Sequence, residues 1–411
     1  MSRDATKGAI TYDVESSWGE DVAVTPDWRL PILGEVDVSG LTQAKLDPQR
    51  VVQRRNECTR YIPGPKGGSF KTKMYITGRG SSSAGAVSLS SLSTLLSYVF
   101  GYATRTATAG TTCGNDWDVD DGTTAASGTL APGGIIWIGE PGDGAAGGQP
   151  TVVQTHVLTQ LDVLVALPLA PANTDAIYVA DNIYGPETAS DTQQTLTGLR
   201  FWLQTANLQY EAHGCFARSV TISGTNPNEL LTIEIEWGVS WWEEVTGTFP
   251  NTTATDTFTP LPNARGSFNL QVRGTKTRAT RTYRSLSVTW TLGIAEQVGP
   301  GGVDQYQSIV GAKRTPDTIM IDWTEDSEAA TASPALAALW AADSSYHALI
   351  AWTLSDGKAV AFYAPSCEFT GPRPPQSNGA GINVVSGQLK CGTGTDTTSE
   401  LTLSAGRLAI G

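Results

Sequence analysis

Paired carboxylates are the first residues of this 411-residue sequence whose type and spacing suit a chemical reaction. Glu234 and Glu236 alternate with apolar residues, and Glu243 and Glu244 follow closely. On a strand, Glu234 and Glu236 share one face with Cα atoms about 7 Å apart, and carboxyl pairs catalyse glycoside hydrolysis. A solvent-facing or channel-facing acidic strip has the same pattern, so the pair alone does not predict an enzyme.

A second acidic cluster has the alternation of a calcium-binding loop. Asp116, Asp118 and Asp120 occupy every other position, as oxygen ligands of Ca²⁺ do. The glycine falls one place late, at Gly122, and the twelfth position is Ser127 where glutamate is expected. We interpret the segment as an exposed acidic turn, with calcium binding as the alternative.

Histidine and cysteine usage gives no further catalytic pattern. His156, His213 and His347 match no metal-ligand spacing, and no nucleophile elbow, phosphate loop or dinucleotide fingerprint occurs. The sequence therefore predicts no catalytic, cofactor or metal site, and a protein that is not an enzyme. Five widely spaced cysteines predict reduced, buried thiols; they are Cys58, Cys113, Cys215, Cys367 and Cys391.

Composition favours a β-rich chain made without a secretion signal. Gly is abundant at 44 residues, and short β-prone runs lie between turn-forming residues. Residues 1–17 contain no apolar run, and no stretch has the length of a membrane span. The net charge of −13 disfavours attraction to nucleic acid; it suits a channel through which DNA slides, or simple solubility.

Periodicity places the elements that must position these side chains. Alternation predicts strands at 70–77, 230–242, 268–273, 285–292 and 319–323. Helical spacing from Leu89 to Val99, ending at Gly101, predicts one helix. Ser333 and Pro334 predict the start of a second helix.

The order of these elements predicts a domain duplication. Residues 1–68 are expected to form an extended arm, and 69–245 a first domain with an insertion at about 103–200. A linker at 246–262 then leads to a second domain at 263–411. Each domain is predicted to contain a strand, a helix, a cysteine-bearing strand and a closing strand, although chance similarity among β-strands remains the alternative.

Several segments resemble bacteriophage tail tube proteins. The resemblance is spread over most of the chain and is weakest across 103–200; the segments are 12–21, 29–48, 64–70, 234–245, 284–293 and 303–314. It implies a mainly β fold of two tandem β-sandwich or barrel domains, each with a flanking α-helix, whose strands join an intersubunit β-barrel. Rings of six such domains stack into a tube. Three copies per ring are therefore favoured, with six as the alternative.

The resemblance also implies roles for charged residues and for partners. Glu234 and Glu236 would face the lumen and repel DNA in transit. Contacts between rings would come from a basic arm and a basic loop, namely Arg50, Arg54, Arg55, Arg60, Arg273, Lys276, Arg278 and Arg281. A tape measure protein and a tail terminator would be partners, without a membrane, and the location would be the virion after synthesis in the host cytoplasm. The alternatives are a tail terminator, a neck or decoration protein, or a carbohydrate-binding adhesin using Trp241 or Trp242.

Overall fold

The fold was analysed in a computed structural model of the chain. The structure describes residues 8–20, 28–34, 36–46, 62–76, 91–100, 103–104, 123–125, 130, 133–139, 148–157, 160–167, 169, 177–179, 182–185, 196–205, 208–226, 228–250, 260–263, 266–275, 278–299, 307, 309–326, 344–353, 359–370, 376–377, 383–392 and 406–410.

The described residues form 24 strands and one helix. The first half of the chain contains β1 (Ala9–Val14), β2 (Trp28–Leu30), β3 (Leu41–Leu46), β4 (Ile62–Tyr75), α1 (Ser91–Phe100), β5 (Ala103–Thr104), β6 (Thr123–Ala125), β7 (Ile135–Ile138), β8 (Gln149–Val157), β9 (Gln160–Val163), β10 (Ile177–Val179), β11 (Asn182–Tyr184), β12 (Leu199–Gln204), β13 (Gln209–Gly224), β14 (Thr232–Val239) and β15 (Trp241–Val245). The second half contains β16 (Gly266–Val272), β17 (Arg278–Arg281), β18 (Ser285–Val298), β19 (Ile309–Asp326), β20 (Tyr346–Thr353), β21 (Ala359–Phe369), β22 (Gln376–Ser377), β23 (Asn383–Gly392) and β24 (Arg407–Ile410). The prediction of a mainly β fold is confirmed.

One antiparallel sheet runs through both halves of the chain. Its strands lie in the order β3-β4-β14-β13-β18-β19-β23-β21. Period-two alternation turns one face of each strand inward. That apolar face contains Trp237, Trp290 and Trp323 and packs into a single core that both halves share.

Helix α1 covers part of this core, as the apolar spacing predicted. Leu92, Leu96 and Val99 are buried, and the Phe100 ring lies 4.4 Å from that of Trp290 in the second half. Arg314 of β19 donates a hydrogen bond to the Val99 carbonyl, which satisfies a carbonyl at the helix end. The second predicted helix, at 333–340, lies outside the described residues.

The single strand predicted for 230–242 is wrong, because the structure contains two strands broken at Ser240. The backbone N–H of Ser240 donates to the His213 carbonyl at 3.1 Å. The hydroxyl donates to the Gly214 carbonyl at 3.0 Å and accepts from the Trp18 indole at 2.9 Å. This break moves the chain from the C-terminal half of β13, which pairs with β14, to its N-terminal half, which pairs with β15.

The predicted arm is more ordered than expected, and the predicted insertion contains strands of its own. Strands β1 and β2 pair within the first half, and Ile10 and Tyr12 lie in the core, so the described part of 1–68 belongs to the fold. Strands β6 to β10 form a small separate sheet inside 103–200, around Ile136, Val153 and Leu161. The end of the predicted linker is also anchored, since Leu261 is buried and bonds to Leu231 and Ile76.

Candidate functional site

The side of the shared sheet that faces away from the core carries polar side chains, and we call it the polar face. Hydroxyl side chains dominate its centre, where Ser219 and Thr221 of β13 stand opposite Thr291 and Thr289 of β18. Short Ser and Thr side chains hydrogen-bond to each other or to water without protruding far from the sheet. The centre of the face is therefore lined by hydroxyl groups, and larger polar and charged side chains such as Asp322 and Lys390 continue it across β19 and β23.

Glu234 and Glu236 lie on this polar face, at its β14 edge. Their cross-strand partners are Lys73 and Lys71 of β4, and the Lys71 ammonium lies 2.9 Å from the Glu234 carboxylate. The hydrogen bond from Lys71 and the charge of Glu234 raise the pKa of Lys71. Glu234 and Glu236 thus face two lysines, and Asp37 beside Lys71 adds a third carboxylate to the patch.

The basic residues predicted to join rings differ in how deeply they are buried. Arg281 is buried and bonded to buried Glu325, and Arg278 donates to the Ala166 carbonyl of the insertion at 3.2 Å. Burial lowers the pKa of Arg278 to about 10. Arg273 is half-buried in the turn after β16. The charges of Arg278 and Arg281 therefore act inside the chain. The other five residues predicted to join rings lie outside the described residues: Arg50, Arg54, Arg55, Arg60 and Lys276. The acidic cluster of Asp116, Asp118 and Asp120 also lies outside them.

A third polar group lies where β13 and β15 pair, and the sequence did not indicate it. Glu211 and Glu243 are direct cross-strand partners, and His213 shares their side of the sheet. The His213 ring stacks on Trp241 with centroids 3.8 Å apart. Burial, aided by the charge of Arg200, lowers the pKa of His213 to about 3, so the ring is neutral at neutral pH.

The turn at 15–20 covers this group from the other side. Glu15 accepts hydrogen bonds from the backbone of Gly19 and Gly214, while burial raises its pKa to about 7. The Trp241 indole donates to the Gly19 carbonyl at 2.9 Å, and its side chain is buried. Trp241 is consequently not an exposed sugar platform. Trp242, the other tryptophan that the adhesin hypothesis names, is half-buried and donates to the Thr42 carbonyl at 3.1 Å.

The comparisons with known proteins give no family. No protein-family model matches the sequence, and no curated protein matches it. Among the described residues, no helix has the length and apolar character needed to cross a membrane. Strand pairing, the polar face and the charged groups are the features of the described residues that bear on function.

Proposed function

We propose that this chain is a structural virion protein: a tail tube subunit whose copies pair edge to edge into rings that stack as a hollow conduit. The observation that carries the proposal is a repeated set of strand pairings. We further propose that the chain contains two tandem domains, that strands of neighbouring copies form an intersubunit β-barrel, and that the protein is located in a phage tail.

Each of seven pairings in the first half has a counterpart in the second half. The first set is β1–β2, β1–β12, β12–β13, β13–β15, β13–β14, β4–β14 and β3–β4. The second set is β16–β17, β16–β20, β20–β21, β21–β24, β21–β23, β19–β23 and β18–β19. Seven matching contacts in one order support a duplication far better than sequence similarity does.

The correspondence extends to an irregularity in the sheet. Cys215 pairs with Leu199 in the first half, and Cys367 pairs with Tyr346 in the second. In both halves the next pair lies two residues along one strand and three along the other. A β-bulge at the same place in both halves is difficult to explain by chance order among strands.

The junction between the halves indicates how copies would pair. Within one chain, β13 of the first repeat pairs with β18 of the second. Their counterparts are β21 and β3. The outer edge of β3 has no partner strand among the described residues. The continuation of β21 toward β22, which corresponds to the part of β13 that pairs with β18, lies at 371–375, outside the described residues. Unpaired edges favour addition of another strand, so β21 of one copy would pair with β3 of the next.

Repetition of this contact gives a ring of four-stranded units with the polar face on one side. Because each chain supplies two units, the ring of six units implied by the resemblance contains three copies; a ring of six copies remains the alternative. A face with hydroxyl groups at its centre, and with a carboxylate opposite each lysine toward its edges, would offer few strong sites for phosphate. Viral DNA would then pass without specific binding.

Substitution at the β3 edge tests the proposal. Ala44 is exposed and sits at a register shift of β3, where it has no cross-strand partner. Proline on an edge strand blocks addition of another strand, so Ala44→Pro should leave the monomer folded and abolish rings and tubes. Thr248→Pro, in an exposed loop segment, is the control.

Negative-stain electron microscopy at high protein concentration, with circular dichroism to verify folding, provides the measurement. Striated hollow tubes for the wild type and for Thr248→Pro, but not for Ala44→Pro, are expected. Wild-type rings that never stack would favour a tail terminator or neck protein. Tubes formed equally by Ala44→Pro would contradict pairing through β3.

A further inference from the structure

Three metal-ligating side chains converge on the sheet formed by β12, β13 and β15. Nε2 of His213 lies 3.8 Å from Oε2 of Glu211 and 4.0 Å from Oε1 of Glu243. One ligand atom from each residue falls within 4.8 Å of the other two. Two adjacent strands supply all three, so the group is part of the rigid sheet.

The His213 ring is held with its free nitrogen toward the carboxylates. Nδ1 lies 3.0 Å from the Glu20 carbonyl, and because a carbonyl only accepts, Nδ1 carries the hydrogen. Nε2 is therefore a lone-pair acceptor. It is buried, the side chain is 0% exposed, and no described group hydrogen-bonds to it. Histidine ligands of metals are commonly oriented in this way by a second hydrogen bond.

The two carboxylates supply charge and access. Glu211 accepts hydrogen bonds from Arg200 and, at 2.7 Å, from the Trp202 indole, which fix its orientation. The Glu243 side chain is 40% exposed, so one side of the group is open to solvent.

We propose that Glu211, His213 and Glu243 bind one divalent transition-metal cation, with zinc as the best fit and water in a fourth position. An imidazole with two carboxylates suits zinc better than magnesium or calcium, which prefer all-oxygen sites. Metal–ligand bonds of about 2.0–2.2 Å place tetrahedral ligand atoms roughly 3.3–3.6 Å apart. The exposed Glu243 side chain can close the remaining distance by rotating.

The test is isothermal titration calorimetry of chelator-treated protein with ZnCl₂, and with MgCl₂ for comparison. Glu243→Gln keeps the shape of the most exposed ligand but removes its charge. Glu244→Gln is the matched control, because Glu244 is exposed on the other side of the same strand. We expect one zinc per chain for the wild type and Glu244→Gln. For Glu243→Gln we expect a dissociation constant at least tenfold larger.

Cobalt substitution gives an independent reading of the same site. Co²⁺ absorption in the visible region should indicate a nitrogen and oxygen ligand set, and it should disappear in Glu243→Gln. Absence of zinc binding by the wild type would overturn the proposal, as would equal affinity in Glu243→Gln and Glu244→Gln. The inference is independent of the tube, because binding is measured on unassembled protein.

Discussion

Removing one partner of the buried ion pair between Arg281 and Glu325 should destabilise the fold strongly. The two side chains are 0% and 2% exposed, so each charge is away from water and compensated by the other. Burial raises the pKa of Glu325, and the charge of Arg281 opposes that rise. Arg281→Met leaves the carboxylate buried without its cation, a loss that costs about 3–5 kcal/mol in the free energy of unfolding.

Thermal unfolding followed by calorimetry measures this cost. With an unfolding entropy of about 2.1 cal/mol/K per residue, the loss lowers Tm by about 3–6 °C if the whole chain unfolds together. The double variant Arg281→Met with Glu325→Leu should recover most of the stability, because no uncompensated charge remains. Arg284→Met is the control: Arg284 pairs with Asp326 at 3.1 Å, with side chains 42% and 39% exposed, and should lose under about 1 kcal/mol.

The same variants separate a role in folding from a role between rings. If Arg281→Met remains within about 0.5 kcal/mol of the wild type, the reasoning from burial is refuted. If it is destabilised but still assembles at low temperature, Arg281 acts within the subunit. Charge reversal at half-buried Arg273 then becomes the direct test of the predicted contact between rings, and weakened polymerisation is expected.

Two further predictions follow from the buried groups. Because burial raises the pKa of Glu15 to about 7 from 4.5, its stabilising protonated form is complete below pH 4.5 and is lost as pH rises through 7. Stability should fall by up to about 3 kcal/mol over that range, and denaturant titrations of Glu15→Gln should show a flatter dependence. Phe100→Ala, which removes the ring packed on Trp290, should cost about 3–5 kcal/mol by the same measurement, with unchanged stability as the contrary result.

Local patterns in the sequence predicted strands and faces well and predicted long-range contacts poorly. Alternation placed Glu234 and Glu236 on one face correctly, because side-chain direction depends only on period two. It did not indicate the lysines opposite them, since β4 lies more than 150 residues earlier and pairs through tertiary register. For the same reason the sequence does not indicate that Arg281, a predicted contact between rings, is buried against Glu325, which is 44 residues away.

Part of the group around His213 could be predicted from the sequence. Glu211 and His213 are two residues apart on a strand, so their shared side was predictable from the sequence. Glu243 was not, because the break at Ser240 turns β15 back onto β13 and brings Glu243 opposite Glu211. A search for closely spaced ligands in the sequence cannot find a site whose third ligand, Glu243, lies on a different strand and is brought in by strand pairing.

The repeated pairings explain why the two halves resemble each other in order but not in residues. Strand pairing is made by backbone groups and constrains side chains mainly to alternate, so unlike sequences can keep one topology. Insertion of β6 to β10 lengthened the first half without altering any of the seven pairings. If the halves are repeats, β3 corresponds to β18, whose outer edge pairs with β13. Because the outer edge of β3 has no partner strand among the described residues, the proposed partner is the strand of another copy that corresponds to β13.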